Sequence, residues 1–568
     1  MKPTLLRRMG ALAPLALLAG LGADAAAQTA ASRTASRGGT AARAEAAVAD
    51  AMDVPADADA VDAVLRLYQL DDLVGLDRFG RALDRIAAAR GLHPSAALLV
   101  RYLQAGLRRQ RDGTAVAGPE FAAQGFVQGW SVVGPFDNEG RKGTTAVYGP
   151  ESELLDLEIL AHTYDGKERP VAWLPAQSHL ARVPFHRWLY PIYNTCSYAY
   201  TTVRVSRPTT ARLWAGADGS LAVWAGGRQA LAVEPYYSAF PDRFAVDVRL
   251  PAGAVPLLVK VCGERSGMAF YLRVTDPAGR PLRGATFEPR LREGEAPAAV
   301  AADPVRVPTA YEELLSLAES EEATAADQLV AGRTLQLSGM IDVTDNTAQK
   351  LLERAVEREP GAEAYYWLMR AGTDAVKAAR AADALVLLGD HDPYLLSEAA
   401  ARRLSSVSVR AADGPARRAL ELPGGADDPN AVVVRAMVLR SSGMAGACSE
   451  LLTDWLAGHD EAGPTVLRQQ RACLEAESRT VEAAALTDRL AEANRSDADL
   501  RLPRLRRLAS RGETDAVRTL GRELAEDFPD DLGTLQGVAS QLQVAGALDE
   551  ALALLRRLAD ECPQNPQL

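Results

Sequence analysis

Lysine is nearly missing from this 568-residue chain: six of its 63 basic residues are Lys (2, 142, 167, 260, 350 and 377), and the rest are Arg. The net charge is −11, and no basic stripe with interleaved aromatics is present, so the chain has no nucleic-acid footprint. Histidine is also scarce, with six residues (93, 162, 179, 186, 391 and 459), none at metal-ligand spacing from another His or Cys. Gly-rich phosphate loops ending in Lys-Ser or Lys-Thr, H-E-x-x-H, G-x-S-x-G and C-x-x-C are all missing. No cofactor and no metal is therefore expected. Past the N-terminus no apolar run approaches the ~18 residues of a membrane-spanning helix.

What is present begins with MKPTLLRRMGALAPLALLAGLGADAAAQT. Lys2, Arg7 and Arg8 precede an apolar stretch from Met9 to Leu21, and Ala25-Ala26-Ala27 fits a cleavage site. Residues 1–27 are read as a signal peptide, and the mature chain as periplasmic or secreted, without a transmembrane segment. Residues 28–57 have almost no large apolar side chains and are read as a disordered linker. Apolar residues at helical spacing then predict a helical segment over 58–112, with a Gly- and Ala-containing joint over 113–125.

Five of the seven tryptophans and nine of the fifteen tyrosines lie between 126 and 290. Short alternating runs (YAYTTVRVS, LAVWAGG, RFAVDVRL, PLLVKVCG) are separated there by Asp218-Gly219, Gly226-Gly227 and Asp276-Pro277. This predicts an antiparallel β-sandwich over 126–290, followed by a linker over 291–309. From 310 to 568 the pattern is helical. Gly512, Asp515, Leu520 and Pro529 recur 34 residues on as Gly546, Asp549, Leu554 and Pro563. That period is the one of tetratricopeptide repeats, whose concave face is expected to take a protein or extended peptide. The fold class is thus multidomain: N-terminal helices, a sandwich and an α-solenoid.

Five cysteines share a compartment that permits disulfides. Cys448 and Cys473 lie side by side if their two helices are antiparallel, Cys196 and Cys262 both fall among the strands, and Cys562 is left over. The alternative is five small buried hydrophobes. Cys196 with His186 is the one Cys–His pair close in sequence, but the strand beginning near Tyr198 gives no thiolate-stabilising environment.

GWSVVGPFDNEG (129–140) sets a strand with Trp130 against Gly134-Pro135, then Phe136, Asp137, Asn138 and Glu139. Asp137 and Glu139 suggest an acid–base pair or a calcium site, yet Gly-Pro favours a bend. The segment is read as an entry turn in which Phe136 anchors the core and Asp137 and Asn138 accept from nearby amides. DGSLAVWAGGRQAL is similar to the D-G-x-x-x-x-W-x-N-G stretch of galactose-binding-like jelly-roll domains, with Gly226 where Asn is usual. Trp214, Trp224, Tyr236 and Tyr237 are accordingly candidate sugar-stacking residues, against the alternative that they are core.

Taken whole, GWSVVGPFDNEGRKGTTAVYGPESELLD followed by TYDGKERPVAWL resembles exported bacterial proteins with a G-P-F-D-N motif domain, tetratricopeptide-type helices and, farther on, a transglutaminase-like domain. The resemblance rests on Trp130, residues 134–138, Gly143, Tyr148-Gly149-Pro150-Glu151, residues 164–167 and Trp173, with no counterpart of the transglutaminase-like part. The expectation is an exported non-enzymatic interaction scaffold with a possible glycan on the sandwich, or an accessory or shortened member of a transglutaminase- or peptidase-like system.

Overall fold

The computed structural model describes residues 39–264, 268–342, 345–372 and 374–565. The expected signal peptide and the first part of the expected linker lie outside these residues. From Gly39 the chain departs from expectation, because Gly39–Asp53 is a helix. Its buried side is Ala44, Ala47, Val48 and Ala51, a helical spacing made almost wholly of alanine. The helices Asp59–Gln69 and Leu76–Ala87 and the longer Pro94–Asp112 follow, as the apolar spacing predicted. The expected joint over 113–125 is itself mostly helix, Thr114–Ala123.

The strands are β1 (Gly129–Asp137), β2 (Thr163–Asp165), β3 (Pro170–Ala172), β4 (Leu174–Gln177), β5 (Val183–Pro184), β6 (Thr195–Val205), β7 (Thr209–Ala217), β8 (Gly219–Ala225), β9 (Arg228–Tyr237), β10 (Phe244–Leu250), β11 (Gly253–Gly263), β12 (Ala269–Thr275), β13 (Thr286–Glu288) and β14 (Val305–Val307). One sheet runs β4-β1-β6-β11-β8-β9, with β13 also on β6, and the second runs β14-β10-β7-β12-β5. All pairings are antiparallel. Alternate residues of the two sheets (Val203, Val223, Val259 and Leu213, Val246, Leu272) meet in one core, as a sandwich requires. The first sheet is covered on its other face as well, by residues 138–173. That is why every residue of β6 is buried.

After helix Ala310–Glu319 the rest of the described chain is a run of helix–turn–helix pairs. Their first helices start at Ala325, Ala362, Pro393, Pro429, Pro464, Ala498 and Leu532, the last three spaced by the 34 residues read from the sequence. Asp392, Asp428, Asp497 and Asp531 cap first helices by accepting backbone N–H bonds.

The row of first helices does not stand open. Asp62 accepts from Arg333 Nε and Nη2 at 2.7 and 2.5 Å, and both side chains are under one-tenth exposed. Burial alone would raise the Asp62 carboxyl, but the Arg333 and Arg66 guanidinia hold it below the ordinary aspartate range. Arg43 joins Glu363 and Asp392, Gln69 donates to Tyr366 and Tyr394, and Thr40 N donates to the capping carboxylate of Asp428. Farther along, Arg468 meets Asp72, Arg495 N donates to Gln110 O, and Thr114 Oγ1 donates to Asp527 O. The face expected to receive an extended peptide is covered over much of its length by residues 40–114 of the same chain.

Both ends of the solenoid rest on the sandwich. At the near end Ser238 N donates to Gly339 O and the buried Arg243 to Ser338 O. At the far end His179 Nδ1 meets Asp530 at 2.8 Å, and Arg187 reaches Glu561, Pro529 O and Cys562 Sγ. Among the described residues no helix is long and apolar enough to cross a membrane.

Two outcomes follow from these contacts. Asp62→Ala leaves the Arg333 guanidinium buried and uncompensated, so denaturant unfolding should show a loss of about 3–5 kcal/mol. The hydrogen bond to Asp530 raises the His179 pKa above 6.5, so its contribution is complete below that value and is lost as pH rises through the folded-state pKa. Burial lowers the pKa of His186 nearby, which acts in the opposite sense and costs stability as pH falls. His179→Gln should therefore make the acid-side drop in melting temperature steeper, measured between about pH 5 and pH 8.

Candidate functional site

The G-P-F-D-N segment leads into the residues that border a cleft on the first sheet, Thr144–Val147. It is not the expected turn: β1 runs through Gly134 and Pro135, with a register shift against β6 between Val133 and Phe136. The bulge sets Pro135, which has no N–H, where no ladder bond is needed. Its carbonyl accepts from Lys167 N at 2.7 Å. At Gly134 (φ +149°) a Cβ would lie 2.8 Å from Ser197 Oγ, so no other residue fits without displacement.

Phe136 is buried as expected, its ring 4.8 Å from that of Tyr148 and 5.3 Å from that of Tyr198. Asn138 is fully buried and reaches across the sheet, donating from Nδ2 to Gly263 O and Tyr236 Oη. The expected bonds from Asp137 and Asn138 side chains to nearby amides give way to these longer-range ones. Asp137 and Glu139 are exposed and both meet Lys167 Nζ, at 3.6 and 2.8 Å, so the two carboxylates share one ammonium. Among the described residues no group of three or more His, Cys, Asp or Glu is placed to hold a metal ion.

Beyond Asn138 the chain folds over β11 and β8 through a 3₁₀ segment, Glu139–Thr144, and the short helix Gly149–Ser152. The space enclosed against β8 and β9 is a cleft of about 510 Å³. Ala222, Trp224 and Ala232 form its apolar wall, and Thr144, Ser152, Ser220, Gln229 and Glu234 its polar rim. Lys260 and Glu151 also line it. Lys260 Nζ donates to Glu151 Oε1 at 2.8 Å and to Ala146 O at 2.6 Å, and Tyr198 Oη donates to the same carboxylate oxygen. The rings of Tyr148 and Tyr198 lie within 6 Å of the ammonium, at 5.2 and 5.7 Å. Burial lowers the Lys260 pKa, against the opposing pull of Glu151.

Of the four residues expected to stack sugars, Trp224 alone lines this cleft, and at 7% exposure it contributes to the wall without presenting an open ring. Trp214 is core: its Nε1 donates to Thr275 Oγ1, and the Arg212 and Arg273 guanidinia lie over its ring. The Tyr236 ring is covered by Arg141, and its hydroxyl braces Thr144 on the rim. Tyr237 is covered by Arg243. Each of the four rings is packed or covered by a neighbouring side chain, which removes the open platform. Glu151 enters the sequence reading only through the Tyr148–Glu151 element, and its pairing with Lys260 is not foreseen; the available signal was one charged residue inside the otherwise apolar run PLLVKVCG.

Trp130, fully buried, donates to Val127 O and meets Phe270 edge-on. Cys196 is bonded to Cys262 across β6 and β11, and Cys448 to Cys473 across neighbouring helices, so Cys196 is no free nucleophile for His186. Cys562 is a buried free thiol beside Arg187. His162 pairs with Glu153 and His179 with Asp530, so the histidines of this region do not converge.

No family model matches the chain, and no curated protein matches it. Among solved structures it is similar to PilF of Pseudomonas aeruginosa (15% identity, TM-score 0.31, 42% of this chain and 99% of that one). It is also similar to a thermophilic TPR protein of Thermus thermophilus (23%, 0.24, 32% and 96%) and to yeast Tom70 (9%, 0.27, 44% and 59%). Overlaps at this level carry no argument, and the solenoid stands on its own helix pairs.

Gly143 fixes the flap that borders the cleft. A Cβ there would lie 2.5 Å from both Asp137 O and Cys196 Sγ. Gly143→Ala should cost about 1–3 kcal/mol in thermal or denaturant unfolding and open residues 138–160 to limited proteolysis.

Proposed function

We propose that this chain is an exported, non-catalytic binding protein: a rigid scaffold whose ligand is taken at the sandwich cleft. The observation that carries the reading is the division of its concave surfaces. The first-helix face, by which a solenoid would hold a peptide, is filled by residues 40–114 of the same chain, whereas the cleft beside the G-P-F-D-N segment is open.

The chemistry of the cleft suits a saccharide. Hydroxyls of Thr144, Ser152 and Ser220 with Gln229 and Glu234 offer donors and acceptors in one rim, and Ala222, Trp224 and Ala232 supply an apolar wall for a sugar face. The one cation there, Lys260, is already matched by Glu151, which argues against a strongly anionic ligand. Export through residues 1–27 would set the protein among envelope polysaccharides and their protein partners.

A saccharide panel offered to the full chain, followed by calorimetry on any hit, tests this. Gln229→Ala and Glu234→Ala, both exposed rim positions, should each weaken binding about tenfold or more without altering the circular dichroism spectrum. Silence across the panel, with a defined envelope protein captured instead, would move the reading to a protein-interaction scaffold.

A further inference from the structure

A sheet edge presents a row of unpaired backbone N–H and C=O groups, and three of the four edges of this sandwich are cut short. β4 has four residues, β14 three and β5 two. β9 is the exception: it is ten residues long and pairs with β8 on one side, and no described strand lies on its other side. The register shows which of its groups point outward. Gly226 N donates to Pro256 O, so the even-numbered residues of β8 bond to β11. Leu221 and Val223 therefore bond to their partners on β9, Val233 and Leu231. That leaves the N–H and C=O of Ala232 and Glu234 facing away from the sheet, as those of Tyr236 do. Tyr236 N donates there to the Asp342 carboxylate at 2.7 Å. Among the described residues nothing bonds to the backbone of Ala232 or Glu234 on that side, and both residues are exposed. A bulge at Ala230 bounds the free run at one end and the Asp342 bond bounds it at the other.

We propose that this edge takes an extended peptide segment carrying a lysine or arginine, which joins the first sheet as a strand beside β9. A saccharide in the cleft would lie on the face of the sheet, whereas the peptide would lie along its edge. Backbone groups at strand spacing are complemented by another extended backbone, whose own N–H and C=O recur at the same interval. Charge sets the class of segment. Glu234 has no ion-pair partner among the described residues, and it is the one charged residue from Ala230 to Tyr236. A second copy offering the same edge would bring two Glu234 carboxylates onto one face of the strand pair, which is unfavourable. A basic side chain in that place is favoured instead.

Fluorescence anisotropy with the full chain tests this, using a synthetic library of end-blocked hexapeptides that each carry one lysine or one glutamate. Lysine members should bind. N-methylation of alternate amides in the best of them should weaken binding about tenfold or more for one set of amides and leave it unchanged for the other, because one edge of the added strand faces β9. Ala232→Pro removes an N–H that β8 does not use, so the circular dichroism spectrum should hold while binding falls to the same extent. Glu234→Lys should turn the preference from lysine to glutamate peptides. Silence across the library at millimolar peptide, equal losses from both N-methylated sets, or unchanged binding by Ala232→Pro overturns the proposal. So does a dimer in sedimentation velocity that Ala232→Pro dissociates, which would assign the edge to a second copy.

Discussion

Asp62 is a carboxylate with almost no exposed surface, and the groups that neutralise it, Arg333 and Thr334, come from a helix some 270 residues later in the chain. A charge in that position is tolerable only while its partner stays, since separating a buried pair leaves an unsolvated ion. The same holds for Arg43 between Glu363 and Asp392. Around these pairs the helices pack Val61, Leu65 and Leu67 into the core that also contains Leu335, Tyr366 and Tyr394. The N-terminal helices are therefore an interior part of the solenoid, and the remaining architecture follows from their being there. A peptide competing for the first-helix row would have to expose both the apolar core and the ions.

Solenoid repeats bury their apolar faces only against neighbours, which makes the two ends and the inner row the exposed liabilities of such a fold. Here the inner row is filled by the chain itself. The near end is sealed by β9 and the segment after it, where Tyr236 N donates to Asp342 and Ser238 N to Gly339 O. The far end meets the sandwich through His179, Arg187 and Arg169. With both ends on one sandwich, bending the solenoid costs contacts at one junction or the other. The first sheet is packed in turn on both faces around β6, which has no exposed residue. Rigidity of this kind suits a protein whose use is to present a surface.

The sequence made some of this legible and hid the rest for physical reasons. Alternation and turn residues located the strands because a sheet with one face on the sandwich core imposes period two. The 34-residue period was readable where Gly512 and Gly546, both at positive φ, end first helices at equivalent places. Helix Gly39–Asp53 was hidden because alanine gains little by burial and looks the same in a tether as in a close-packed helix. Its role depends on Asp392 and Asp428, which no local pattern connects to it. Gly134-Pro135 was misread because a bulge and a turn use the same residue types, and only the partner strand tells them apart. The cleft was invisible for a similar reason: Lys260 and Glu151 are 109 residues apart, and neither is distinctive until β11 and the flap meet.

That pairing also bears on what the cleft is able to do. A general acid or base must reach the substrate with a proton to give or a lone pair to use. Lys260 spends donors on Glu151 and Ala146 O, and the Glu151 oxygen that meets it also accepts from Tyr198. Proton transfer to a ligand would require breaking that network inside a partly buried wall, where an unpaired charge is costly. The rim groups are under no such restriction, since Gln229 and Glu234 face solvent. The buried pair keeps the wall in shape, the Gly143 contact holds the flap against the disulfide, and the rim groups face solvent.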